Sequence, residues 1–165
     1  MLLCLAAGPS LTVPAAAQCR LCTAPSAERT GDAAAGAIRL EIETSLDFDR
    51  LILLAPGEGS ATLLPDGSRA VSGMIGAIGG RAMVGEAVVR GEAGRAVRIG
   101  LPRRIDLFSI SGGRIALEDL ASDLPSLPRL DSTGRLSFRF GGRLRVSGDA
   151  EGDYRGDVPI TVEYL

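Results

Sequence analysis

From Tyr154 to Tyr164 the chain alternates without a break. Tyr154, Gly156, Val158, Ile160, Val162 and Tyr164 take one side, and Arg155, Asp157, Pro159, Thr161 and Glu163 take the other. Successive side chains point to opposite faces only in an extended strand, so this pattern describes a half-buried β-strand. It constrains the fold more than any other feature because the same period recurs upstream. Ile38, Leu40 and Ile42 alternate with Arg39, Glu41 and Glu43, and Leu46 and Phe48 alternate with Asp47 and Asp49. Leu136, Phe138 and Phe140 alternate with Ser137 and Arg139, and Leu144 and Val146 with Arg143 and Arg145. No stretch carries a convincing helical period.

Turn chemistry separates these runs. Pro65-Asp66-Gly67-Ser68 closes a strand at Ala61 to Leu64. Gly91 to Gly94 and Ser111-Gly112-Gly113 each read as the turn of a hairpin, joining Ala82–Arg90 to Ala96–Leu101 and Ile105–Ile110 to Arg114–Leu117. Gly141 and Gly142 read as a third, with Arg143 in the loop so that Phe140 faces Leu144. Leu51 to Leu54 is continuously apolar, which fits a strand buried on both faces or a bulge. Glu118 to Pro128 reads as a loop. The expectation is an all-β, antiparallel, immunoglobulin-like sandwich of seven to nine short strands. Pro159 cannot donate to a ladder, so the last strand should lie at a sheet edge or turn its nitrogen outward.

With 165 residues, a single domain can bury roughly 70% of its unfolded surface and needs no staple. The domain is expected at 37–165. Residues 18–36 form a turn-rich lead-in, and 1–17 a secretory signal peptide that ends at Ala15-Ala16-Ala17. Leu2 to Ala17 is uncharged but broken by Pro9 and Pro14. It is also shorter than the ~20 residues that spanning requires, so no membrane span is expected once it is removed. Cys4 would leave with it. Cys19 and Cys22 then remain as a candidate disulfide, local or between chains, in the periplasm or at the cell surface. Residues three apart in a strand sit roughly 10 Å apart, against the ~5.5 Å a disulfide wants, so a local bridge requires a turn at Arg20-Leu21.

Histidine is absent. That removes the Ser-His-Asp triad, the Cys-His pair, the His-ligated zinc site and the imidazole pH switch. A net charge of −2 with few aromatics argues against nucleic acid as a partner. Asp47 and Asp49 share a strand face, and Glu118, Asp119 and Asp123 cluster. Without a phosphate loop or metal cluster they read as solvated charge. No catalytic, cofactor or metal site is expected.

Leu63-Leu64-Pro65-Asp66-Gly67-Ser68, Ile99-Gly100-Leu101-Pro102, Leu136 to Leu144, and Gly152 to Tyr164 occur here in an order and spacing that resemble the bacterial secreted family called domain of unknown function 4402. That family is similar to the spore coat protein U domain and to pilin-like subunits of chaperone–usher systems. Such subunits carry a glycine fourteen positions from the end and a penultimate tyrosine, here Gly152 and Tyr164. The resemblance implies a structural subunit of a surface fibre, coat or pilus-like assembly. Its partners would be a periplasmic chaperone, an outer-membrane usher and further copies of itself. The face Gly152, Tyr154, Gly156, Val158, Ile160, Val162 and Tyr164 would be the recognition edge. Residues 18–36 lack the alternating bulky apolar residues of a strand donor. A monomeric extracellular binding module, for carbohydrate or surface adhesion, is the alternative, although the aromatics that stack on sugars fall mostly at inward positions.

Overall fold

The computed structural model describes residues 36–148 and 150–165. The signal-peptide reading at 1–17, and Cys19 and Cys22 with their lead-in up to residue 35, lie outside the described residues. The described residues form twelve antiparallel strands and no helix. The all-β, sandwich-like expectation holds, with more and shorter strands than the seven to nine read from the sequence.

The spine is a fourteen-residue strand, β10 (Arg135–Gly148). On one edge its first half pairs with β6 (Gly85–Arg90), which in turn pairs with β1 (Arg39–Thr44). Its second half pairs on that edge with β3 (Gly57–Leu63), which pairs with β4 (Arg69–Gly73). The other edge takes β9 (Arg114–Ser122), then β8 (Arg104–Ser109), then β11 (Tyr154–Arg155). Two ribbons cover the inner face. β2 (Leu51–Leu53) pairs with β5 (Ile75–Ala77), and β7 (Val97–Gly100) pairs with β12 (Thr161–Tyr164).

Each ribbon closes its own cluster. Under β2–β5 lie Ala61, Ile75, Ile115, Leu117, Leu144 and Val146. Under β7–β12 lie Ala87, Val89, Val97, Leu130, Phe138 and Phe140. Leu46 and Val158 touch both. The even-numbered positions of β10 face inward throughout, so one strand feeds both clusters.

Four sequence expectations change. Gly141-Gly142 is not a turn, because β10 runs straight through it and Phe140 never faces Leu144. A Cβ on Gly141 would collide with the Leu63 carbonyl oxygen, so this glycine allows the backbone approach at which the edge passes from β6 to β3. Strands β6 and β7 do not pair with each other. The Gly91–Ala96 connection arches from one layer to the other.

Glu118 to Ser122 is strand rather than loop. A bulge sits there, with Asp119 at φ 52° and the β10 register shifted between Gly141 and Arg143. The bulge moves the inward side chains of β9 from odd positions (Ile115, Leu117) to even ones (Leu120), which destroys the alternation that marks a strand. Finally, the run from Tyr154 to Tyr164 is two strands, β11 and β12, joined by an extended stretch that contains Pro159. The β8–β9 hairpin forms where expected, and the turn at Pro65–Ser68 leads β3 into β4, a strand not read from the sequence.

Aspartates organise several turns. The Asp131 carboxylate accepts hydrogen bonds from the Thr133 hydroxyl (2.7 Å) and from the N–H groups of Thr133 (2.8 Å) and Arg135 (2.9 Å). The Thr133 hydroxyl bond, then the Arg135 N–H, hold its pKa below the ordinary carboxylate value. Asp66 is lowered in the same sense by Ser68, and Asp49 by the Arg81 N–H. A carboxylate whose folded pKa lies below its unfolded value of about 3.9 stabilises fully above that value. The contribution is lost as pH falls through the folded pKa. The urea midpoint should therefore drop on acidification below about pH 4, and Asp131→Asn should make that drop shallower. A midpoint drop as steep in Asp131→Asn as in the parent would remove Asp131 from the account.

Candidate functional site: a groove between the two ribbons

The inner layer is not continuous. Between β2 and the chain that leads from β11 toward β12, over the first cluster, lies a groove of about 950 Å³. One rim is the chain from Ser45 to Leu53. Asp47 and Met83 form an isolated antiparallel bridge on the outer side of this rim, and β2 pairs with β5 there. Among the described residues, no strand pairs with the inner edge of β2. The opposite rim is the chain from Gly152 to Ile160, tied to the main sheet through β11 and β8. Ile115, Leu117, Leu144 and Val146 floor the groove, and Phe140 is among its lining.

This shape follows from local sequence. Leu51 and Leu53 face the core while Ile52 and Leu54 face out, 39% and 63% exposed. The continuous apolar run is thus a strand apolar on both faces, with only its inner face covered. On the opposite rim Gly152 adopts φ +116°, which starts β11 from a turn that side chains resist. Gly156 packs its bare α-carbon against Leu107. Pro159 falls outside both strands, so its missing N–H costs no ladder bond.

The expected recognition face divides between two jobs. Gly152, Tyr154, Gly156, Val158 and Ile160 line the groove. Val162 and Tyr164 instead seal the second cluster. The Tyr164 hydroxyl accepts the Glu92 N–H at 2.7 Å, and the Arg95 guanidinium lies 4.8 Å from its ring centroid. The Leu165 N–H donates to the Ala96 carbonyl at 3.0 Å. Among the described residues, β12 has only β7 as a ladder neighbour, so the last strand is an edge, although Pro159 lies outside it and is not the cause.

The Ser45–Leu53 rim was not identified as part of a site from sequence. Its signal was present, in the loss of the polar face after Arg50. Asp47 and Asp49 do not act as a pair. The Asp47 carboxylate accepts the Asp49 N–H (2.7 Å), and that of Asp49 accepts the Arg81 N–H (2.9 Å). Among the described residues no three metal-ligating side chains gather.

A second, polar cleft of about 730 Å³ lies on the outer face of the main sheet. Cross-strand register lines up Ser72, Ser60, Arg145, Ala116 and Asp106 in one row, and Thr62, Arg143, Glu118 and Arg104 in the next. Small residues make the hollow. Ion pairs such as Arg104–Glu118 (2.8 Å) and Arg145–Glu118 (3.7 Å) wall it. Phe108 lies outside this lining but is the cross-strand partner of Arg114 within it; at 57% exposed it is the exception among aromatics expected to point inward.

No helix among the described residues is long and apolar enough to cross a membrane, which says nothing of β-barrels. No curated protein and no solved structure matches the chain. A family model, Domain of unknown function (DUF4402), matches residues 38–164, from the residue before β1 to the end of β12. The match spans both clusters and both rims of the groove, and the chain belongs to that family.

Proposed function

We propose that this chain is a secreted, non-enzymatic structural subunit of a surface fibre, coat or pilus-like assembly, and that it joins its neighbours by accepting a strand in the groove. The groove carries the reading. An apolar floor between two extended rims, one of them a strand whose inner edge has no ladder partner among the described residues, fits an incoming strand. A likeness of the family to spore coat protein U and to pilin-like subunits is part of the same proposal, and the apolar, Ala-x-Ala-ended run at 1–17 supports it. A periplasmic chaperone and an outer-membrane usher are the partners this reading requires, and the periplasm or cell surface is its location.

Size-exclusion chromatography and non-reducing gels on surface extracts test it. The expected result is a ladder or a high-mass species that resists mild denaturant and is lost when β2 is given a charge by Ile52→Lys. A freely soluble monomer without a co-purifying chaperone would sink the reading. The polar cleft with exposed Phe108 favours a second reading, a monomeric module for carbohydrate or surface adhesion, since an exposed ring beside hydrogen-bonding side chains suits a sugar. A glycan array without hits would remove it.

A further inference from the structure

Electrostatics around the groove go beyond its shape. Its lining contains Asp47, Asp49, Asp153 and Asp157 against a single cation, Arg155. Asp49 is already answered, because its carboxylate holds the Arg81 N–H and lies in the field of Arg69 and Arg50. The other three acids are exposed, and neither they nor Arg155 forms an ion pair among the described residues. Three carboxylates less one guanidinium leave a net −2 on the rims.

The placement of that charge matters. On the Gly152–Ile160 rim the odd positions point away from the core, which puts Asp153, Arg155 and Asp157 on the outward side. Asp47 is outward on the other rim, between inward Leu46 and Phe48. A strand lying in the groove would direct alternate side chains to the apolar floor and the remainder outward. Those outward side chains would be cross-strand neighbours of the three acids, where opposite charges attract and like charges repel.

We propose that the groove selects a strand from a different polypeptide, one with branched apolar residues at alternate positions and lysine or arginine at the intervening ones. This rests on the strand-accepting reading above and adds the chemistry of the partner. Residues 18–36 of this chain lack the apolar alternation, so a second copy is the weaker occupant. The acidic rims also disfavour strands with acidic outward faces, which gives selection against wrong partners as well as attraction to the right one.

The test uses the full chain and three labelled nine-residue peptides. All carry Val, Ile or Leu at odd positions, and they carry Lys, Ser or Glu at even ones. Fluorescence anisotropy should rank them Lys, Ser, Glu, with the Lys peptide about tenfold tighter than the Glu peptide at low salt. The gap should shrink to about threefold or less near 0.5 M salt. The triple variant Asp47→Asn, Asp153→Asn, Asp157→Asn should bind the Ser peptide as before and lose the ranking. Equal binding of all three peptides, or preference for Glu, overturns the charge selection and leaves strand acceptance intact. Binding of none overturns strand acceptance itself. A Lys/Ser peptide without apolar residues that binds as well as the Lys peptide overturns the proposal as mere surface adsorption. Self-association that blocks every peptide makes the occupant a second copy and also overturns it.

Discussion

Phe140→Ala should destabilise the domain by about 3–5 kcal/mol, the usual range for deleting a buried aromatic ring. Phe140 is 2% exposed and packs in the cluster beneath β7–β12, with its ring centroid 6.2 Å from that of Phe138. It also stands directly opposite Gly85, and a Cβ there would fall inside the ring. The two residues are therefore one packing unit, a full ring on a bare backbone. Gly85→Ala alone should be costly, and Phe140→Leu should partly relieve it, so the double variant should lose less than the sum. Urea denaturation reads this as a shift in midpoint at constant slope. A loss below about 1.5 kcal/mol for Phe140→Ala would mean that the neighbouring side chains collapse into the space.

Gly141→Ala should cost about 3 kcal/mol or more, well above an ordinary glycine replacement in a strand. The obstacle is the Leu63 carbonyl oxygen, which belongs to backbone already paired with β10. Relief requires β3 to move, and β3 carries Ala61 and Leu63, each 1% exposed. Gly142→Ala is the control. Its Cβ would meet Leu117 Cδ1 at 3.1 Å, the Glu118 carbonyl oxygen at 3.2 Å and Leu120 Cγ at 3.4 Å, contacts that ask for shifts of a few tenths of an ångström rather than displacement of a strand. It should cost about 1 kcal/mol. Equal losses at the two positions, measured by the same urea titration, would show that the close approach of β3 is not what demands a glycine.

Strands were legible in the sequence wherever one face meets the core and the other meets water. Leu136–Phe140 and the face from Tyr154 to Tyr164 follow from period two, and Ile105–Ile110 with Arg114–Leu117 from the turn at Ser111-Gly112-Gly113. Partners were less legible. Gly141-Gly142 carries the chemistry of a turn, yet glycine also serves where two backbones approach, and only the position of Leu63 decides between them. The bulge at Asp119 slips the apolar period by one, so residues 118–122 look like a loop from their composition. Gly91–Ala96 looks like a hairpin turn because both flanking runs are strands, but β6 and β7 belong to different layers. The groove was half legible. Its Gly152–Ile160 rim stood out by alternation, while the Ser45–Leu53 rim was hidden because a strand apolar on both faces looks the same whether its outer side is covered or bare.

Tyr164, seated under Arg95 against the Glu92 N–H, has a spectroscopic consequence. The chain has two tyrosines and no tryptophan. One tyrosine lines the groove, and the other closes the opposite cluster. Ultraviolet emission therefore comes from two native labels, one beside each hydrophobic cluster. Tyr154→Phe leaves a fluorophore that reports only on β12 and its anchorage. Tyr164→Phe leaves one that reports only on events in the groove. The loosening of one half can thus be followed separately from the filling of the other without any added dye.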